Sequence, residues 1–143
     1  MGSPDGLPLL SGIKNMNEEH CVVGKELLPE LISSGYKFQE DDIVFIAKDK
    51  TDKIIWLERG NERAGLKHII LNHRTHFETA FGIKAEEIAL YLYNVITCGD
   101  LISCTPSKIK GGLDRVYEYD GQYYTFVGIG NNGFVVTSFP TNR

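Results

Sequence analysis

The hydrophobic positions of this chain change period as it runs. Ile43-Val44-Phe45-Ile46-Ala47-Lys48 and Lys53-Ile54-Ile55-Trp56-Leu57-Glu58 are short β-branched and aromatic runs around the polar segment Asp49-Lys50-Thr51-Asp52. They predict two strands joined as a hairpin. Before them, Glu18 to Ser33 reads as a helix, with a break allowed before Pro29 and an end at Ser34-Gly35. After them the period lengthens. Asn61 is placed to cap a helix from about Glu62 to Phe77. Ala85 to Thr97 forms another, with Ile88, Leu92, Val95 and Ile96 at core spacing and Gly99 as its stop. Residues 99–113 read as a loop. The tail then alternates: Arg115 to Tyr119, an Asp120-Gly121 turn, Gln122 to Gly130, an Asn131-Asn132-Gly133 turn, and Phe134 to Pro140. That pattern predicts a three-stranded antiparallel meander. The whole is expected to be α+β: N-terminal helices packed on a central twisted antiparallel sheet with a C-terminal meander.

With 143 residues the chain is long enough for one core. A single domain is expected over 13–143, behind a Gly-, Pro- and Ser-rich leader at 1–12. The start shows neither a basic nor an apolar region of the kind a signal peptide needs. No apolar run approaches the roughly 20 residues that span a bilayer. Cys21, Cys98 and Cys104 form no CxxC pair and no zinc spacing, so packed thiols are expected, though a Cys98–Cys104 bridge is geometrically open.

Charge changes the picture more. The net charge is −4, but it is uneven. Residues 1–58 carry six Lys against eleven Asp and Glu, whereas 59–143 carry nine Lys and Arg against eight. Arg59, Arg63, Lys67 and Arg74 cluster with His68, His73 and His76. A local basic patch suits phosphate binding even on an acidic protein, and a solvated helix face is the plainer alternative.

In the histidine helix, Leu66, Ile69, Ile70, His73 and Phe77 share one face, with His68, Asn72 and His76 toward the other. His73 on the apolar stripe reads first as a core histidine. No pair has the i, i+4 spacing of a metal site and HExxH is absent, so no metal and no cofactor is expected. Lys108 to Gly112 lacks the P-loop pattern, although glycines beside lysines let a backbone approach a phosphate. Cleavage of RNA requires a base for the ribose 2′-OH, an acid for the leaving 5′-oxygen, and cations or hydroxyls for the phosphorane. His68 and His73 suit the first two roles. Lys108, Lys110, Arg115 and Thr137 suit the third, with Arg74, Tyr117, Tyr124 and Ser138 as substrate contacts. Strand alternation puts Val135, Thr137 and Phe139 on one face and Phe134, Val136 and Ser138 on the other.

Gly65-Leu66-Lys67-His68-Ile69-Ile70-Leu71-Asn72-His73, a following helix, and a meander ending Val136-Thr137-Ser138-Phe139-Pro140 together resemble the barnase-, EndoU-, colicin- and RelE-like ribonucleases. Over roughly 43–140 the chain is similar to C-terminal toxin domains of bacterial contact-dependent growth inhibition proteins. The resemblance implies a metal-independent endoribonuclease, directed at RNA and above all tRNA, that leaves a 2′,3′-cyclic phosphate. It implies a cognate immunity protein as partner, with elongation factor Tu for some members. It implies delivery from the surface as the end of a large secreted protein, action in the target-cell cytoplasm, and no stable membrane insertion of this domain. The helix histidine of the family's His-Ile-x-x-x-His pattern falls on His68 or His73, its strand threonine on Thr137, and its basic residues, loosely, on Lys108, Lys110 and Arg115. A different class remains: a non-enzymatic acidic partner, such as an immunity protein or small RNA-binding adaptor, which the acidic first half favours.

Overall fold

The computed structural model describes residues 23–109, 111–130 and 132–142. The expected leader, the first turns of the Glu18–Ser33 helix, Cys21, Lys110 and Asn131 lie outside them. The fold is α+β, with a two-stranded and a four-stranded antiparallel sheet. Strands β1 (Ile43–Lys48) and β2 (Ile54–Glu58) form the expected hairpin. Their apolar runs are continuous rather than alternating because both faces are covered. Val44, Ala47, Ile55 and Leu57 enter the main core, while Ile43, Ile46, Ile54 and Trp56 enter a second core with Leu31. The helix expected over Glu18–Ser33 is corrected to α1 (Leu28–Ser33), which carries Leu31 and has Pro29 in its first turn: before it Val23 bridges to Phe45, Gly24 is left-handed, and Lys25–Leu27 forms a 3-10 turn. A helix this short does not stand alone. Burial of Leu31 contributes about 1.5–3 kcal/mol and fastens it to the hairpin.

Helix α2 spans Leu66–Phe81 and α3 spans Ile88–Cys98. Helix α3 is buried on nearly every side, including Ile88, Leu92, Val95 and Ile96, and packs on β1 and β4. The start expected for α2 is corrected from Glu62 to Leu66. Asn61 spends its side chain on an Asx turn, accepting from the N–H of Arg63 at 2.8 Å and of Ala64 at 3.3 Å. The helix then runs on past Phe77 until Gly82, in the left-handed conformation, closes it.

The loop expected at 99–113 is also corrected. Asp100–Pro106 is strand β3, paired with β4 (Leu113–Tyr119), so the meander has four strands with β5 (Tyr123–Ile129) and β6 (Val135–Pro140). Strand β3 lies at the sheet edge and is mostly exposed, so it buries no apolar row that would mark it. Among the described residues one backbone bridge joins the two sheets, where the Trp56 N–H donates to the Gly133 carbonyl at 3.0 Å. Gly133 has φ 118°, and a Cβ there would stand 2.3 Å from the Ile54 carbonyl oxygen, so the junction demands glycine. Cys98 and Cys104 are exposed free thiols and form no bridge. Among the described residues no helix is long and apolar enough to cross a membrane.

Candidate active site

The site begins with an irregularity in β6. Thr137 pairs with Gly128 and Val135 with Ile129, so Val136 is bulged out of the ladder. The bulge corrects the expected alternation: Val135 turns to the buried side with Ser138, while Thr137 and Phe139 keep the opposite, half-open face. It also turns the Val136 carbonyl outward, where the Gly65 N–H donates to it at 3.0 Å. Gly65 (φ 96°, ψ −167°) lies in a region only glycine enters readily, and a Cβ there would meet the Glu58 carbonyl oxygen at 2.8 Å. A bulge and a glycine thus fix where α2 starts against the last strand.

One turn into α2, His68 meets that strand. Its Nε2 lies 3.0 Å from Thr137 Oγ1 and its Nδ1 2.9 Å from the Glu62 carbonyl oxygen. A carbonyl only accepts, whereas the Asn72 amide nitrogen, 3.1 Å from the same Nδ1, only donates; the shorter contact, to Glu62, places the proton on Nδ1 in the neutral ring. Nε2 then presents a lone pair, and Thr137 donates its hydroxyl to it. Asn72 Nδ2 donates to the His68 carbonyl at 3.0 Å and braces the same turn.

His73 sits 5.8 Å from the His68 ring and 5.0 Å from Phe139, centroid to centroid. Burial lowers its pKa, and the neighbouring charges of His68 and His76 lower it further. Phe139 stacks on Phe126 at 4.5 Å and faces His76 at 6.5 Å. The rings of Phe126, Phe139, His73 and His76 form a row beside the His68–Thr137 pair. Aromatic faces of this kind accept unpaired bases by stacking.

Gly128 and Asp114 complete the site, and both were missed by reasoning on the sequence. Asp114, Gly128 and Thr137 stand opposite one another on three adjacent strands. A Cβ on Gly128 would lie 3.3 Å from Thr137 Cγ2 and 3.7 Å from Asp114 Oδ1. The missing side chain lets the Phe126 ring, 3.2 Å from where that Cβ would stand, and Thr137 close over the strand, with the Asp114 carboxylate on one side and a hydroxyl backed by an imidazole on the other. A glycine between Thr125-Phe126-Val127 and Ile129 in a β-run was the available signal.

The other expected residues divide. Tyr124 lies on the same sheet face, its hydroxyl donating to Glu118 Oε2 at 3.3 Å. Arg74 is exposed on α2 next to His73, and Lys108 is exposed in the β3–β4 loop. Neither has a contact that ties it to the pair, and Lys110 lies outside the described residues. Arg115, Tyr117 and Ser138 are corrected: all three are buried on the opposite face. Ser138 donates to the Phe126 carbonyl at 2.6 Å. Arg115 and Tyr117 both bond Asp49 Oδ2 in the β1–β2 turn. Burial raises the Asp49 pKa, but hydrogen bonds from Thr51, Lys53 and Tyr117 outweigh it, leaving the carboxyl below its usual range. Arg115 therefore neutralises a buried carboxylate and is out of reach of any substrate at Thr137. Among the described residues no three His, Cys, Asp or Glu side chains converge as a metal site. No protein-family model and no curated protein matches this sequence.

Proposed function

We propose that this chain is a metal-independent endoribonuclease of the toxin type, cutting RNA, with tRNA its favoured target, and restrained by a cognate immunity protein. The observation that carries the reading is the His68–Thr137 hydrogen bond, which unites the helix histidine and the strand hydroxyl across 69 residues of sequence. Beside it stand a carboxylate and a row of rings for bases.

The phosphate approaches Thr137 and Asp114 from the open face of the meander. Asp114 takes the proton from the ribose 2′-OH, and the resulting oxyanion attacks the adjacent phosphorus. The 5′-oxygen leaves with a proton from the His68 imidazolium, so a 2′,3′-cyclic phosphate and a free 5′-OH remain. Thr137 donates its hydroxyl to a non-bridging oxygen as charge grows there. His73, its pKa lowered by burial beside Phe139, serves as a stacking surface, and Arg74 and Lys108 supply field.

The test is incubation of the pure protein with total RNA in EDTA. Wild-type protein cuts and leaves cyclic phosphate ends. His68→Ala and Asp114→Asn each lose roughly 100- to 10,000-fold in rate. Unchanged cleavage by His68→Ala and Thr137→Ala overturns the proposal. The acidic first half of the chain favours the second reading, a non-enzymatic partner. Expression in bacteria separates the two, because the nuclease is toxic without an inhibitor and the partner is harmless.

A further inference from the structure

The turn between β5 and β6 carries the chain's single Asn-Gly step, Asn132-Gly133. It is also the turn that fastens the two sheets, because the Gly133 carbonyl accepts from the Trp56 N–H at 3.0 Å. The Asn132 side chain folds back on its own backbone: Oδ1 accepts from the Phe134 N–H at 3.2 Å, an Asx turn. That bond closes a ring of atoms with Asn132 Cγ on one side and the Gly133 nitrogen on the other. A donor aimed at Oδ1 also stabilises the negative charge that grows there when a nucleophile adds to Cγ. The Gly133 nitrogen is that nucleophile. Glycine has no side chain to shield it, and its N–H is held only by a long bond, 3.3 Å, to the Gly130 carbonyl. Asn132 is half-buried and lines an open groove with Lys37 and Gln39, so water reaches it.

We propose that Asn132-Gly133 is a self-modifying site, whose amide is lost spontaneously in the folded protein and whose isoaspartate product releases the hairpin from the meander. Hydroxide takes the Gly133 N–H proton, and the nitrogen bonds to Asn132 Cγ. The bond from Cγ to its amide nitrogen breaks, ammonia leaves with a proton from water, and a succinimide ring remains. Water opens that ring at either carbonyl. Opening at Cγ gives an ordinary aspartate. Opening at the backbone carbonyl gives isoaspartate, in which the main chain runs through Cβ and Cγ and is one carbon longer. Gly133 has no slack for that carbon: it stands at φ 118° with the Ile54 carbonyl where a Cβ would go. The lengthened chain therefore carries the Gly133 carbonyl off Trp56. The inference goes beyond the ribonuclease reading and stands without it.

Ageing the intact protein in mildly alkaline water enriched in heavy oxygen, followed by peptide mapping, tests the chemistry. Asn132 takes up the label faster than any other asparagine, and the rate rises with pH. Amide hydrogen exchange tests the joint: the Trp56 N–H exchanges about tenfold faster in the isoaspartate fraction, through loss of one hydrogen bond. Asn132→Asp, freshly made, keeps the Trp56 protection, because it adds the charge without the extra carbon. Asn132→Ser keeps an oxygen for the Phe134 N–H but has no carbonyl to attack, so it folds as the wild type does and its exchange does not change with age. An Asn132 amide that outlasts the other asparagines, isoaspartate with Trp56 still protected, lost protection in fresh Asn132→Asp, or equal ageing of Asn132→Ser overturns the proposal.

Discussion

Asp49 shows how one carboxylate absorbs every polar group around it. Oδ1 accepts from the Thr51 hydroxyl and from the backbone of Thr51 and Lys53, and Oδ2 from Arg115 and Tyr117. Removing one member of a buried pair strands the other charge, so Asp49→Ala will cost about 3–5 kcal/mol in urea denaturation. Replacing both Asp49 and Arg115 by apolar residues will cost less than either change alone. Arg115 looked catalytic in the sequence because an arginine on a β-strand carries no mark of its partner, which lies 66 positions away. The split between Thr137 and Ser138 was legible, since strand alternation alone separates neighbours. At Gly128 the prediction concerns rate rather than stability. Its backbone is not left-handed, but a Cβ would press on the Phe126 ring at 3.2 Å and on Thr137 Cγ2 at 3.3 Å. Gly128→Ala will therefore move its urea midpoint less than Asp49→Ala does, while cleavage of RNA falls on the order of 100-fold, because the Thr137 hydroxyl is displaced from His68.

At the scale of elements, the site depends on the joint between α2 and β6. Two devices make it: the bulge at Val136, and Gly65 donating to it. Gly65→Ala must relieve both a glycine-only conformation and a backbone clash. It will cost about 1–3 kcal/mol and will lower cleavage as well, because His68 is carried on the turn that moves. Parallel melts and RNA assays on that variant check the linkage. Helix α3 was plain in the sequence, since its apolar residues recur at helical spacing and are buried. The start of α2 was not, because Asn61 has the same preference for an Asx turn as for a helix cap. Strand β3 escaped because an exposed edge needs no hydrophobic row. The histidine helix and the final strand were each legible. Their juxtaposition was not, since it is made by a one-residue bulge that leaves no trace in composition.

Over the whole molecule, acid is the lever on stability. His73 has a folded pKa below its ordinary 6.5, so the unfolded chain binds the proton more readily. Stability is therefore full above about pH 6.5 and declines as the pH falls through the folded value. Urea midpoints at pH 8, 6 and 5 will drop in that order. His73→Phe, which keeps a ring against Phe139, will flatten the series. Asp49 adds a separate loss at much lower pH, where its depressed carboxyl is finally protonated.

Trp56 is the chain's single tryptophan, and it stands where the hairpin meets the larger sheet, packed against Tyr36, Phe38 and Phe134. Its emission therefore comes from one known place. Parting of the two sheets would expose the indole to water and move the spectrum to the red. The molecule carries its own lamp at the seam, and no label is needed to see it loosen.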